Sequence, residues 1–487
     1  MTQAQTILTN LRSRGHQVNL IDKSMIKIVP PLQDTILKGL RPHVPSLKRE
    51  LLYEADHPDV DQDRAVNGTL KLIKKGKPTI IAITGAAGTG KSYLLKRLSV
   101  ALPDAIITAP THKAAHVLMQ KGVTATTVKS ATQIPLWTPE RDELLDYLDN
   151  LRQNPPAIFS DLNFNNAFKI SEKHGSQTAL KSLNISTFDE RLFYGWGVQD
   201  HEHPIMIIDE ASMVSSSELE KIRGLAKIII LLGDPNQLPP VKSKGGMSLD
   251  CAEYSFGLSK VRRQSNDSGI LDLAYAVLRN CPPSQLLEMA KTLSGVHVCD
   301  HIPSETLWSA PLLCWKNETR INAYLDWREF NNLKTEQLSR NEPLICTGCS
   351  NTKAADTTLF INGSRWRVDK PIWNPAAIMV RDEITNLSHT VSADVSEDGN
   401  YKGGDAVPSF KSGHGGAYFR HGAAITIHQS QGSQYPTGVI AWPDIVAAYH
   451  ADKRVDQKGL RLWQRLAYVA ITRAEHNCIL CTGLEMG

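Results

Sequence analysis

Apolar positions along the chain change period several times, and each change marks an element. Ile7, Leu8 and Leu11 recur at helical spacing and Gly15 follows, so an amphipathic helix is expected at the start. Val18, Leu20, Met25, Ile26, Ile28 and Val29 fall in two short runs, the pattern of a small hairpin. Pro30-Pro31 punctuates, and helical stretches follow through Leu37 and Leu40, then Leu47, Leu51 and Leu52. Asp56 to Asp63 reads as an acidic, proline-containing linker ahead of an amphipathic helix with Val66, Leu70 and Ile73.

Beyond that helix, buried-strand runs alternate with helical patterns as far as Val241, the sign of a parallel α/β sheet. The span 135–203 interrupts this order with helical, aromatic-rich sequence. A second α/β stretch starts near Leu258 and is broken over 340–420 by Gly-, Trp- and Asp-rich sequence. Short β runs punctuate that break at Leu344-Ile345, 365–368 and 377–380. The sheet pattern resumes at Ala423.

Length and composition narrow the class. A chain of 487 residues is too long for one core, and about three domains are expected. Nothing in it approaches the ~20 apolar residues of a membrane span, and the polar start is unlike a signal peptide, so a cytoplasmic protein is expected. The net charge of +4 permits a nucleic-acid groove without arguing for one. Eight cysteines include the pairs Cys346/Cys349 and Cys478/Cys481. The second pair falls in a strand pattern where i and i+3 point to opposite faces, so reduced structural thiols are favoured over a metal site.

The strongest chemical signal follows the run 80–84. Gly85, Ala86, Ala87, Gly88, Thr89, Gly90, Lys91 and Ser92 spell GxxxxGK[ST] between a strand and a helix, the context this phosphate-binding motif needs. Glycines let successive N–H groups turn around phosphate oxygens while the helix presents its positive end. Lys91 is expected on the β- and γ-phosphates, and the Ser92 hydroxyl on Mg²⁺.

A second apolar strand pattern ends in Asp209 and Glu210. In a phosphate-loop enzyme the strand-tip Asp completes the Mg²⁺ shell and the adjacent Glu polarises the attacking water. A solvated strand end is the plain structural alternative, and the company of the phosphate loop weighs against it. A third run, 228–232, delivers Gly233, Asp234, Pro235, Asn236 and Gln237 to the same edge. Gln237 is long, uncharged and able both to donate and to accept, as a sensor of γ-phosphate or water must.

With Asp209, Glu210, Ala211 and Ser212 and the Gly233 to Pro240 motif in place, the chain resembles superfamily 1 helicases, the RecD/Dda-like branch in particular. Over the span 56–485 the other motifs of that family follow in order. By this resemblance Gln62 reads adenine. Pro110, Thr111 and His112 form the first single-strand contact, and Thr127 with Lys129 the second, where Lys129 replaces the family's usual His. Arg263 is implied as the first arginine finger and Arg473 as the second. The motif with Thr426, His428, Gln429 and Gly432 touches both DNA and nucleotide, and Gln429 replaces the more usual Lys. Arginine suits the finger role because its guanidinium stays charged beside a γ-phosphoryl group that gains charge during transfer. A surface ion pair is the ordinary fate of any one arginine.

The resemblance implies an α/β fold of two RecA-like P-loop domains in tandem, 56–254 and 255–487. The first carries an inserted subdomain at 135–203 and the second an inserted small β-barrel at 340–420. Trp137, Phe159, Phe164 and Trp196 are candidate stacking residues in the first insertion, against the simpler reading of core side chains. Residues 1–55 resemble a small α+β TubC-like N-terminal docking domain, which implies a protein partner.

The implied activity is an ATP-dependent DNA helicase or translocase moving 5′→3′, with ATP and Mg²⁺ as cofactors. Its implied partners are single-stranded and forked duplex DNA, and its setting DNA replication, repair or recombination. A phosphotransfer or signalling enzyme would leave Gln237, Arg263 and Arg473 idle. A DNA-stimulated ATPase switch or adaptor without strand separation is the other alternative.

Overall fold

A computed structural model describes residues 3–13, 17–21, 25–29, 36, 40–48, 60–137, 193–198, 203–240, 246–260, 269–333, 338–349, 363–373, 376–383, 386–392, 417–456 and 458–487. Helix α1 (Gln3–Ser13) and the antiparallel hairpin β1 (Gln17–Ile21) and β2 (Met25–Val29) form the N-terminal part. Ala4, Leu8, Leu11, Val18 and Leu47 make its small core. The Arg12 guanidinium reaches out of it to the Ser259 hydroxyl at 3.1 Å.

The expected linker 56–63 ends earlier in the structure. Helix α2 (Val60–Ile73) already includes Asp61, Gln62 and Asp63. Carboxylates are favourable in a first helical turn, and the Asp61 carboxylate also accepts the N–H groups of Ser259 and Lys260 at 3.1 Å each.

The first lobe is built on β3 (Thr79–Gly85), β4 (Ile106–Ala109), β5 (Thr126–Thr127), β8 (His203–Ile208), β9 (Ala226–Gly233) and β10 (Tyr254–Leu258). They form one parallel sheet in the order β10-β3-β9-β8-β4-β5. Strand β3 is buried almost throughout because helices cover both faces of a parallel sheet. Helices α3 (Lys91–Ala101) and α4 (His112–Gln120) add Leu94, Leu95, Leu98, Ala114, Ala115 and Leu118 to its core. The expected domain division at 254/255 falls inside this sheet's edge: β10 pairs with β3, Tyr254 opposite Ile81, so the first lobe runs on to Leu258.

The second lobe repeats the plan with β11 (Val296–Cys299), β12 (Leu312–Cys314), β18 (Ala424–Thr426), β19 (Tyr435–Ala441) and β20 (Ala474–Cys481). All pairs are parallel, in the order β11-β20-β19-β12-β18. Cys478 joins the hydrophobic cluster on one face of this sheet and Cys481 that on the other, as the i and i+3 spacing requires. No group of potential metal ligands occurs among the described residues.

Between β12 and β18 stands a separate antiparallel sheet, in the interval where the small β-barrel is expected. Its strands are β13 (Pro343–Cys349), β14 (Arg365–Trp373), β15 (Ala376–Asp382), β16 (Ser388–Ser392) and β17 (Ala417–His421), in the order β16-β15-β14-β13-β17. Trp366, Val368, Val380 and Phe419 fill its core.

Lys129–His201 form a unit of their own. Its described strands, β6 (Gln133–Trp137) and β7 (Phe193–Val198), pair antiparallel, with Trp196 opposite Pro135. Phe159 and Phe164 lie outside the described residues.

Candidate active site

Four loops leave the carboxyl ends of neighbouring strands in the first sheet, where an open parallel sheet presents its ligands. The loop after β3 is the phosphate loop. Gly88 and Gly90 have φ of 82° and 84°, backbone that a side chain rarely adopts. A Cβ on Gly85 would stand 2.4 Å from the Thr89 hydroxyl, which itself donates to Ala86 O at 2.9 Å. The Lys91 ammonium points back into this loop, donating to Gly85 O at 2.7 Å and Ala86 O at 3.0 Å. Ser92 is exposed at the start of α3.

Asp209 and Glu210 follow β8. Burial, with the neighbouring Glu210 carboxylate second, lifts the Asp209 carboxyl to about 7, against the pull of Lys91 and Lys121. Glu210 has φ of 49°, left-handed backbone for a residue with a side chain, and its Oε2 is buried with no hydrogen-bond partner. Strain together with an unpaired buried acceptor is characteristic of a functional group held ready. The loop after β9 carries Asp234 and Gln237, both buried. Gln237 Oε1 accepts from the Ser212 hydroxyl at 3.3 Å.

Gln62 reaches the phosphate loop from α2. Its Nε2 donates to Thr89 O at 3.3 Å, and its Oε1 is buried without a partner. That orphaned acceptor fits the exocyclic amino group of a base.

The second lobe closes on these loops through contacts that no motif spacing announces. Helices α6 (Gly269–Leu278) and α9 (Leu462–Thr472) pack with Ala86 and Leu238 in one hydrophobic cluster. The Tyr468 hydroxyl accepts from the Ala87 N–H at 2.8 Å and donates to Asp234 Oδ2 at 2.6 Å. The Tyr275 hydroxyl donates to Ala87 O at 3.2 Å. Arg465 donates to Pro235 O at 2.8 Å and to Gln237 O, and is held by Asp456 at 2.6 Å. Gln431 donates to Leu238 O at 3.1 Å. Tyr468 and Gln431 lie inside motifs visible in the sequence, whereas Tyr275, Arg465 and Lys121 have no such signal.

Arg473 is buried at the end of α9, where its guanidinium donates to Val469 O at 3.3 Å and Ser433 O at 2.9 Å, both in the second lobe. Arg263 lies outside the described residues.

The candidate DNA contacts also stand at carboxyl ends of strands. Pro110, Thr111 and His112 follow β4, and the Thr111 hydroxyl is engaged as the α4 N-cap, accepting from Ala114 N at 3.1 Å. Thr127 is buried in β5, and Lys129 is exposed in the smaller unit. In the second lobe Thr426 is buried at the end of β18, Gln429 is exposed, and burial lowers the pKa of His428. Gly432, at φ 73°, passes close to α4: a Cβ there would stand 3.4 Å from Ala114 Cβ. Trp315 and Lys316 leave the neighbouring strand β12 at the same edge, where Cys314 pairs with Thr426. Neither residue lies in a motif visible in the sequence.

The fold is that of two RecA-like lobes, with a phosphate loop at the sheet edge of the first. The chain matches the family model described as an AAA domain over residues 59–301 and the UvrD-like helicase C-terminal domain over 421–481. No curated relative matches it. Among solved structures it is similar to Bacteroides Pif1 bound to ssDNA, at 16% identity and TM-score 0.49, over 85% of this chain and 91% of that one. A structure of two coordinating Pif1 helicases at forked dsDNA gives 16% identity and TM-score 0.48 over the same shares. The Candida albicans Pif1 helicase gives 17% and 0.43, over 87% of this chain and 94% of that one. Among the described residues no helix is long and apolar enough to cross a membrane.

Proposed function

We propose that this chain is an ATP-driven DNA helicase or translocase of superfamily 1, in the RecD/Dda-like branch, moving 5′→3′ on single-stranded DNA. The observation that carries the reading is the convergence of the phosphate loop, Asp209–Glu210 and Gln237 on one sheet edge, gripped by α9 of the second lobe.

Ser92 and Asp209 offer the hard oxygen ligands that Mg²⁺ prefers, and the ion would supply charge neutralisation between the phosphates. Lys91 binds the β- and γ-phosphates once it turns from its own loop carbonyls, and Gln62 holds the adenine. Glu210, with its unpaired oxygen, orients the attacking water and takes its proton. Arg473 and Arg263 neutralise charge on the γ-phosphoryl group when the lobes draw together.

Single-stranded DNA, and the strand of a fork, would cross the tips of both sheets. Pro110 to His112 and Thr127 act from one side, and Thr426, His428 and Gln429 from the other; Lys129, in the smaller unit, is a further proposed DNA contact. Trp315 adds an aromatic face and Lys316 a cation at that edge. Residues 1–55 would recruit a protein partner as a TubC-like docking domain, and the setting is cytoplasmic DNA replication, repair or recombination.

ATP hydrolysis measured with and without single-stranded DNA tests the reading. A rise of about tenfold or more on adding DNA, lost in Glu210→Gln, is expected. Hydrolysis indifferent to DNA favours a phosphotransfer or signalling enzyme instead.

A further inference from the structure

The peptide unit around Ala87, in the middle of the phosphate loop, is held by hydroxyls of the second lobe. The Tyr468 oxygen accepts the Ala87 N–H at 2.8 Å, and Tyr275 donates to the Ala87 carbonyl at 3.2 Å. Tyr468 is wholly buried, and its single hydroxyl proton goes to Asp234 Oδ2 at 2.6 Å. The other Asp234 oxygen accepts the Asn236 N–H at 2.9 Å, which fixes the carboxylate. A hydroxyl has one proton to give, so its lone pairs remain for the Ala87 N–H. A phosphate oxygen is also an acceptor, and the N–H groups of this loop are what it binds.

We propose that Tyr468 is a positioning residue that clasps the phosphate loop, and that a nucleoside di- or triphosphate gains the Ala87 N–H only by displacing its hydroxyl. The proposal rests on the reading of this loop as the nucleotide site. Arg465 lies one helical turn before Tyr468 and grips the Pro235 and Gln237 carbonyls from the same helix face. Displacement at Ala87 therefore bears on the Gln237 loop through α9, linking nucleotide occupancy to the position of the second lobe.

Titration of the full chain with fluorescent ADP tests this. Tyr468→Phe keeps the buried ring and removes the competing oxygen, so its dissociation constant for ADP falls about fivefold, the worth of one net hydrogen bond. KM for ATP falls with it. Tyr275→Phe loosens the same peptide without touching the N–H, and a fall of about twofold is expected. It serves as the test if the Tyr468 variant does not fold. A purely structural role for Tyr468 predicts the opposite sign, so unchanged or weaker binding in the variants overturns the proposal. A wild-type chain that binds no nucleotide overturns the phosphate-loop reading itself.

Discussion

Gln62 Nε2 donates to Thr89 O at 3.3 Å, so the residue at the start of α2 is fixed to the phosphate loop while its own carbonyl oxygen stays buried and unpartnered. An amide with one side satisfied and the other free suits a base with an amino donor on its Hoogsteen edge, which adenine has at N6 and where guanine instead presents the O6 acceptor. Gln62→Ala is expected to raise KM for ATP about tenfold, the loss of a hydrogen bond in a closed site, and to leave KM for GTP within about twofold. Steady-state hydrolysis of the two nucleotides measures it.

The Asp209 carboxyl titrates near 7 because it is buried beside Glu210. A raised pKa means that the folded chain holds a proton there which the unfolded chain releases near 3.8. This contribution to stability is full below 3.8 and disappears as pH rises through about 7. If Asp209 holds Mg²⁺ as proposed, the ion would compete with the same proton, so stabilisation by Mg²⁺ and nucleotide should grow between pH 6 and pH 8, with proton release in calorimetry. Lys121 opposes the shift, and its ammonium stands 3.4 Å from the Ser92 hydroxyl. Lys121→Met therefore moves the pH midpoint of this effect upward.

Arg328 and Glu342 form a buried pair at 2.6 Å, on α7 (Asn317–Phe330) and at the start of the antiparallel sheet. The Glu342 side chain is fully buried, so Arg328→Met strands its charge and should cost about 3 kcal/mol of unfolding free energy. Urea unfolding checks this. His421 Nδ1 stands 3.2 Å from the same carboxylate, at ion-pair range but off the line of a hydrogen bond. Burial pushes its pKa below 6.5 despite Glu342. A lowered His pKa gives stability that is full above 6.5 and is lost as pH falls below it, so a His421→Gln variant should lose less stability than wild type between pH 7 and pH 5.

Arg465 joins Asp456 in the second lobe to the Pro235 and Gln237 carbonyls in the first. Its removal leaves two loop carbonyls without a charged donor, and Arg465→Ala should lower stability by about 2 kcal/mol. It should also reduce DNA-stimulated turnover more than basal turnover, because the Gln237 loop loses its tie to α9. Arg465→Lys cannot reproduce the forked contact and should restore only part of either quantity.

The chemistry was more legible in the sequence than the architecture that joins it. Lys91, Asp209 and Gln237 stand at strand ends whose apolar runs and glycines are local signals, and each lies on the sheet edge where such motifs belong. The clasp is another matter. Ala87 and Tyr468 are 381 residues apart and meet only because the two lobes pack, which no local period encodes. The same limit explains the division at 254/255: Tyr254 begins a strand like any other, and only pairing with Ile81 assigns it to the first sheet. The acidic run at 56–63 has the composition of a linker, but its residues at 61 and 63 serve a helix start.

Strand separation on forked and singly tailed duplexes of both polarities separates a helicase from a DNA-responsive switch. Wild-type protein with ATP is expected to unwind the fork and the 5′-tailed duplex but not the 3′-tailed one. Glu210→Gln should bind both nucleotide and DNA yet unwind neither substrate. Absence of unwinding on every substrate, with DNA-stimulated hydrolysis intact, would contradict the helicase and leave a DNA-responsive ATPase switch.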